Sequence, residues 1–354
     1  MSDTRQALAD SVDRTFASAW TTDAVVAAEG EGAPESAIAA TEALGLDQVH
    51  ALAEAGGGWQ DAAVVFKALG RHAVPIPLAE TIVANWLVRR AGLDAPAAVR
   101  TLAAAPADAE LDAERGLSAT LSEVPGARLA EEVVVTIPGG SGLQVARFAR
   151  ADAELQARSS LAGEARDTLV YRSARALEAR EVALPPNSVE VLMAATRAAQ
   201  IAGALEAVLQ IAVYYAGERE QFGRPIGRFQ AIQQELARLA GEVAAAGVAA
   251  DLALRALDEK ALAQDGVFGA PEDPGFDVAV AKVTAGEAAE TGPRIAHQVL
   301  GAIGFTYEHR LHLFTRRLWA WRAEYGTASA WAGRLGQLAL HDTDSDLWAR
   351  LTAR

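Results

Sequence analysis

Arg219-Glu220-Gln221-Phe222-Gly223-Arg224-Pro225-Ile226, continuing as Gly227-Arg228-Phe229-Gln230-Ala231-Ile232-Gln233, reads as the corner on which this chain turns. An apolar segment over 188–217 enters it, long enough for a helix of about 30 residues, or ~45 Å. A second apolar segment leaves it over 229–265. Between them stand a basic residue, an aromatic, a glycine that frees the backbone and a proline that stops a helix. The spacing predicts a tight helix–helix corner carrying an anion-binding guanidinium and amide side chains.

Working outward, helical patterns continue over 277–300, 307–321 and 327–340, after a Gly/Pro/Asp loop from Asp265 to Gly275. Long helices with short connections predict an antiparallel bundle over 187–354, packed closely through its alanines. Ser188 is the expected N-cap of its first helix. Upstream the pattern changes. Leu117–Leu121, Glu132–Ile137, Leu143–Ala146 and Thr168–Tyr171 alternate or are β-branched, and Pro138-Gly139-Gly140-Ser141-Gly142 makes a hairpin turn between two of them. They predict a small β domain of short strands over 98–186, ended by Pro185-Pro186.

Residues 1–97 are helical again. Leu8, Val12 and Phe16 mark a helix over 4–19, and two short helical segments flank Gly45. Trp59 to Leu69 turns Val64, Val65, Phe66 and Leu69 inward, with Gly70 as terminator, and Ala79–Ala91 follows the bend at Pro75 and Pro77. Residues 23–32 read as a loop. Gly56-Gly57-Gly58 reads as a flexible connection, since no Lys-Ser/Thr follows as a phosphate cradle requires. The expected fold is mainly α with a small β domain.

Composition narrows the function. Lys plus Arg is 32 against 46 for Asp plus Glu, a net charge of −14 without a basic stretch, which argues against a nucleic-acid partner. The absence of cysteine excludes disulfides, thiolate metal sites and a cysteine nucleophile. The N-terminus does not read as a signal peptide, and no apolar run has the purity of a membrane span; a soluble, cytoplasmic protein is expected. His309 and His312 lie at i, i+3 without a supporting acidic pattern, so no metal is expected there. Trp319 and Trp321, at i, i+2, fall on different helix faces and read as packing residues. His72 and His297 read as hydrogen-bonding groups.

A helical domain, a small β domain and a long helix bundle, in that order, resemble the acyl-CoA dehydrogenase family. The corner stretch looks like that family's flavin-contacting corner, and His297-Gln298-Val299-Leu300-Gly301-Ala302-Ile303-Gly304-Phe305-Thr306 looks like its second, Gly-rich contact. Leu69-Gly70-Arg71 and Pro75-Ile76-Pro77-Leu78-Ala79-Glu80 add to the likeness. The resemblance implies FAD contacts from Arg219, Gln221, Phe222, Ile226, Gln230, Gln298, Gly301 and Gly304. A guanidinium suits a pyrophosphate, amides suit neutral ring edges, and Phe222 offers an apolar wall. In the family these elements reach FAD held mainly by a neighbouring subunit.

The chain also departs from the family. Its reaction removes an α-proton of an acyl-CoA with a glutamate, while hydride passes from Cβ to the flavin. In Arg322-Ala323-Glu324-Tyr325-Gly326-Thr327 the base position falls on Tyr325, leaving Glu324 one residue early as the remaining candidate base. One residue rotates a helical side chain by about 100°. The alternative base position, on the first bundle helix, falls at Met193, with Glu190 the nearest acid. Neither a Thr-Glu-Pro-x-Ala-Gly-Ser loop nor a Trp-Ile-Thr strand is found in the β region. The resemblance therefore implies a base-lacking subunit of a heteromeric enzyme, completing a homologous partner's FAD site. A self-sufficient FAD-dependent homodimer using Glu324 and a non-enzymatic helical binding protein are the alternatives.

Overall fold

An alanine- and leucine-rich chain interrupted by one β-branched region folds as those patterns require: helices, then strands, then helices. The computed structural model describes residues 3–30, 33–49, 58–112, 114–140, 142–260 and 273–341. Its first helices are α1 (Asp3–Ala19), α2 (Thr22–Gly30), α3 (Glu35–Glu42), α4 (Trp59–Arg71) and α5 (Leu78–Arg90). Val12 and Phe16 of α1 are buried, as their spacing predicts.

Residues 23–30, expected as a loop, are helical. The Ala-Val-Val-Ala-Ala run is helix-compatible, and the Thr21 hydroxyl accepts the Ala24 N–H at 3.3 Å at its start. Gly56 and Gly57 lie outside the described residues. Gly58 precedes α4, and the Asp258 carboxylate accepts the N–H groups of Trp59 (2.7 Å) and Gln60 (3.0 Å). The side chain of a distant helix thereby caps α4.

Gly70, expected to end α4, lies inside it. A Cβ at Gly70 would stand 1.9 Å from the Gln200 carbonyl oxygen, and one at Gly203 would stand 1.9 Å from that of Lys67. The two glycines let α4 and α6 (Ser188–Glu218) cross with their backbones in contact.

The β unit contains β1 (Arg100–Ala104), β2 (Gly116–Pro125), β3 (Glu132–Pro138), β4 (Leu143–Ala149), β5 (Glu154–Gln156), β6 (Arg166–Arg175) and β7 (Glu178–Val182). One sheet has the order β1-β3-β4-β7, the other β2-β6-β5. β1 pairs parallel with β3, and β3 and β4 form the expected hairpin, closing at Pro138 opposite Leu143. The sequence pattern missed β1, β5 and β7; β5 and β7 are short, polar edge strands.

The bundle comprises α6, α7 (Gln230–Glu259), α8 (Gly275–Leu300), α9 (Leu311–Trp321) and α10 (Ala328–His341). α7 ends before the 265 expected, and residues 261–272 lie outside the described part. Asn187, not Ser188, occupies the N-cap of α6; the Ser188 hydroxyl donates to the Pro185 carbonyl at 2.7 Å. α6 has the length and hydropathy of a membrane span, but 94% of its most apolar window is buried inside the protein. The N-terminal helices and the bundle share one apolar core, and the strands enclose a second.

α8 runs parallel to α6: a Cβ at Gly292 would touch Leu205, and Lys282 senses the charge of Arg197. The C-terminal ends of α6 and α8 therefore share one end of the bundle.

Candidate cofactor-contacting face and candidate active site

At that shared end the corner motif is a short hairpin rather than a bare turn. Glu220–Gln221 pairs with Arg224–Pro225, and Phe222 (φ 53°) and Gly223 (φ 75°) form its tip. Two successive positive φ values match a type I′ turn, which glycine accommodates and phenylalanine rarely does. Phe222 is 92% exposed, with its ring edge-on to Phe229 at 6.1 Å. Arg224 lies over Phe229 at 4.4 Å.

Arg219 is exposed at the end of α6, its carbonyl tied to the Ile226 N–H at 2.8 Å. Gln221 donates only to its neighbour's carbonyl, and Gln230 is exposed on the first turn of α7. Ile226 is half-buried beneath the hairpin against the main core.

The second motif ends α8 at the same end of the bundle. Gln298 is exposed, and Gly301 adopts φ 63° and ψ −141° with open space where a Cβ would stand. Gly304 is buried, and a Cβ there would lie 3.0 Å from Leu300 Cβ and 3.3 Å from His297 Nδ1. Gly304 thus serves packing of the turn, whereas Gly301 serves its backbone path. Phe305 (71%) and Tyr307 (83%) stand exposed beside it, Phe305 stacked on His297 at 4.4 Å. These groups can meet a flat, anionic ligand: the guanidiniums of Arg219 and Arg224, three amide side chains and exposed aromatic rings, on an open face.

The candidate base lies elsewhere. Glu324 follows α9 and turns its carboxylate into the protein. Arg166 Nη2 donates to Oε1 at 2.7 Å and Arg197 Nε to Oε2 at 2.7 Å. Burial pushes the carboxyl upward, but the Arg197 and Arg166 charges outweigh it and hold it at about 2. A general base for proton abstraction near neutrality needs the opposite displacement. Tyr325 takes a left-handed backbone conformation (φ 52°), and its ring lies 5.7 Å from the Arg197 guanidinium. Burial raises the Tyr325 phenol above its ordinary range. Met193 is fully buried, and Glu190 pairs with Arg334 at 2.7 Å.

A groove of about 1120 Å³ opens between the β unit and the bundle, reaching Glu324 and Tyr325. Leu102–Ala104 and Ser122–Pro125 line its β side, and Asn187, Glu190 and Trp319 its helical side. A groove this size was not anticipated, because the strand that contributes Ala103 and Ala104 has no legible β pattern. Arg166 and Arg197, which hold Glu324, were also missed; each reaches Glu324 from a segment more than a hundred residues away.

The remaining marked residues have local roles. His72 Nε2 lies 2.9 Å from Asp13 Oδ1, and His312 Nδ1 lies 2.9 Å from the His309 carbonyl. Trp321 is buried, and Trp319 is 45% exposed with Arg322 over its ring.

A helix–strand–helix chain with this bundle end and this groove has the architecture of acyl-CoA dehydrogenases. Residues 191–330 match the family model "Acyl-CoA dehydrogenase, C-terminal domain". The Mycobacterium tuberculosis protein "Acyl-CoA dehydrogenase IpdE2" is 31% identical over 273 residues, covering 75% of this chain and 73% of that protein. The chain belongs to the acyl-CoA dehydrogenase family. The fold is shared with a chain of the ChsE4-ChsE5 complex from Mycobacterium tuberculosis: TM-score 0.80, 22% identity, 98% of this chain and 99% of that one. It is shared likewise with a chain of the "Tcur3481-Tcur3483 steroid ACAD G363A variant": TM-score 0.78, 24% identity, 97% and 99% covered. Members of the family bind FAD.

Proposed function

We propose that this chain is the base-lacking subunit of a heteromeric, FAD-dependent acyl-CoA dehydrogenase, and that its bundle end completes an FAD site held mainly by a homologous partner. One observation carries the reading. Arg219 and Arg197 are 22 positions apart (219 minus 197) along α6, so the exposed corner stands roughly 33 Å from the Glu324 turn. A face that far from its own candidate base, offering a cation, amides and strained exposed Phe222, suits a ligand carried by another chain.

FAD, when bound, supplies the hydride acceptor for α,β-desaturation of an acyl-CoA. Arg219 would pair with its pyrophosphate, Gln221, Gln230 and Gln298 would hydrogen-bond its neutral edges, and Phe222 would exclude water. The proton would be taken by the partner's carboxylate, since two guanidiniums lower the proton affinity of Glu324 and make it a weak base. Two fold neighbours are described as a two-protein complex and as a steroid enzyme, which supports a heteromer acting on a bulky acyl group in lipid or steroid catabolism.

The test is purification of the chain alone and with its homologous partner. The lone chain is expected to be colourless and inactive, and the co-expressed pair yellow and active, with Arg219→Ala weakening flavin retention in the pair. Stoichiometric flavin in the lone chain, seen as a band near roughly 450 nm, overturns the reading. The groove of about 1120 Å³ favours a second reading, a self-sufficient homodimer with its own flavin. That reading expects yellow lone chain and loss of its activity in Glu324→Gln.

A further inference from the structure

We infer that the buried ion network joining Glu29, Glu80, Glu164 and Glu324 to Arg166, Arg197 and Arg317 is a clamp that holds the β unit on the bundle without a ligand. Its members come from every part of the fold. Glu29 is on α2, Glu80 on α5, Arg197 on α6 and Arg317 on α9. Arg166 begins β6, Glu164 lies two residues before it, and Glu324 lies between α9 and α10.

Arg197 spans Glu324 and Glu80, at 2.7 and 2.5 Å. Arg166 spans Glu324 and Glu164, at 2.7 and 3.1 Å. Arg317 spans Glu164 and Glu29, at 3.2 and 2.8 Å, and Arg316 also pairs with Glu29. The Trp321 indole N–H donates to Glu164 at 2.9 Å, so even the apolar neighbour is tied in.

Two features separate this network from a site awaiting a ligand. First, its charges balance internally: four carboxylates face four guanidiniums, counting Arg316. An anionic or cationic ligand would break that balance. Second, on the side of Glu80 and Arg197 the space beside the network is a crevice of about 20 Å³, room for about one water, and the groove of about 1120 Å³ lies on the other side of it, reaching Glu324. Arg166 and Pro125 line both this crevice and the large groove, so they form the partition between them.

Buried ion pairs of this kind add little net stability, but removing one partner strands the other charge. The loss should therefore be local, at the junction of β6 with the bundle. The clamp rests on the reading above and deepens it: the carboxylate at the candidate base position joins two parts of the fold instead of taking a proton.

The test is hydrogen exchange by mass spectrometry on the purified chain, without flavin or CoA ester. Wild type should protect β6, and Arg166→Met and Glu324→Gln should each speed exchange in β2 and β6 by about tenfold or more, leaving the β3–β4 hairpin unchanged. The double variant should exchange no faster than the worse single one, because both break the same unit. Where Arg166→Met does not fold, Arg166→Lys is read by the same peptides, with a smaller rise expected. Unchanged β6 exchange, or an equal rise across the chain, overturns the clamp. A chain that copurifies with flavin yet opens at β6 when mutated keeps the clamp and overturns the proposed function.

Discussion

Arg197 Nε donates to Glu324 Oε2 at 2.7 Å, so the candidate base of this chain is held as an anion. The consequence is visible in acid. The Glu324 carboxyl is lowered from 4.5 to about 2 in the folded protein. A lowered carboxylate contributes stability that is complete above its unfolded value and is lost as pH falls through the folded one. Stability should therefore drop between about pH 5 and pH 2, by on the order of 3 kcal/mol from this group. Denaturant melts of wild type and Glu324→Gln across that range check it; the Gln variant should lose this part of the slope.

Lys282 titrates on the other side of neutrality. Its Nζ is fully buried and donates to the carbonyls of Trp321 (3.1 Å) and Arg322 (3.0 Å), just before Glu324. Burial lowers the ammonium from 10.5 to about 7, against the favourable charge of Glu324. Above about pH 7 the unfolded chain holds this proton and the folded chain does not, so folding gains stability as pH rises toward 10.5. Relative to Lys282→Met, wild type should gain on the order of a few kcal/mol over that interval. A flat difference between the two melting profiles contradicts it.

Gly203 and Gly241 are both helical, yet alanine should act on them in opposite directions. At Gly203 the new methyl meets the Lys67 carbonyl at 1.9 Å, whereas at Gly241 nothing lies within 4 Å. Gly203→Ala should destabilise by about 3 kcal/mol through forced separation of α4 and α6. Gly241→Ala should stabilise by about 0.5–1 kcal/mol through helix propensity. Urea melts decide both.

Asp258 caps α4 across 199 residues of sequence. Removing it leaves the Trp59 and Gln60 N–H groups without that acceptor, so Asp258→Ala should cost about 1 kcal/mol. Asp258→Asn should recover most of it, because an amide oxygen still accepts.

Much of the fold was legible because it rests on local periodicity. The long apolar runs, the β-branched segments and the Pro138–Gly142 turn each carry their own signal. The Phe222-Gly223 tip and the Gly301 turn were legible as motifs for the same reason: backbone conformation at glycine is written locally. β1, β5 and β7 were not, because short strands take their pairing from neighbours. Gly70 was misread for a related reason. A glycine that ends a helix and a glycine that admits another helix look alike until the second helix is present.

By itself, then, the sequence determined the order of parts, the exposed corner at Arg219–Gln233 and the absence of an acid at Tyr325 and Met193. Only the tertiary structure decided what Glu324 does. Ionisation depends on which charges lie within a few ångströms, and Arg166, Arg197 and Glu80 reach that turn from segments 127 to 244 residues away (324 minus 197, and 324 minus 80). The distance from the corner to that turn is likewise a property of the folded α6, not of residue order. Hydrophobic period and turn chemistry act over a few residues; charge pairing and separation act through space.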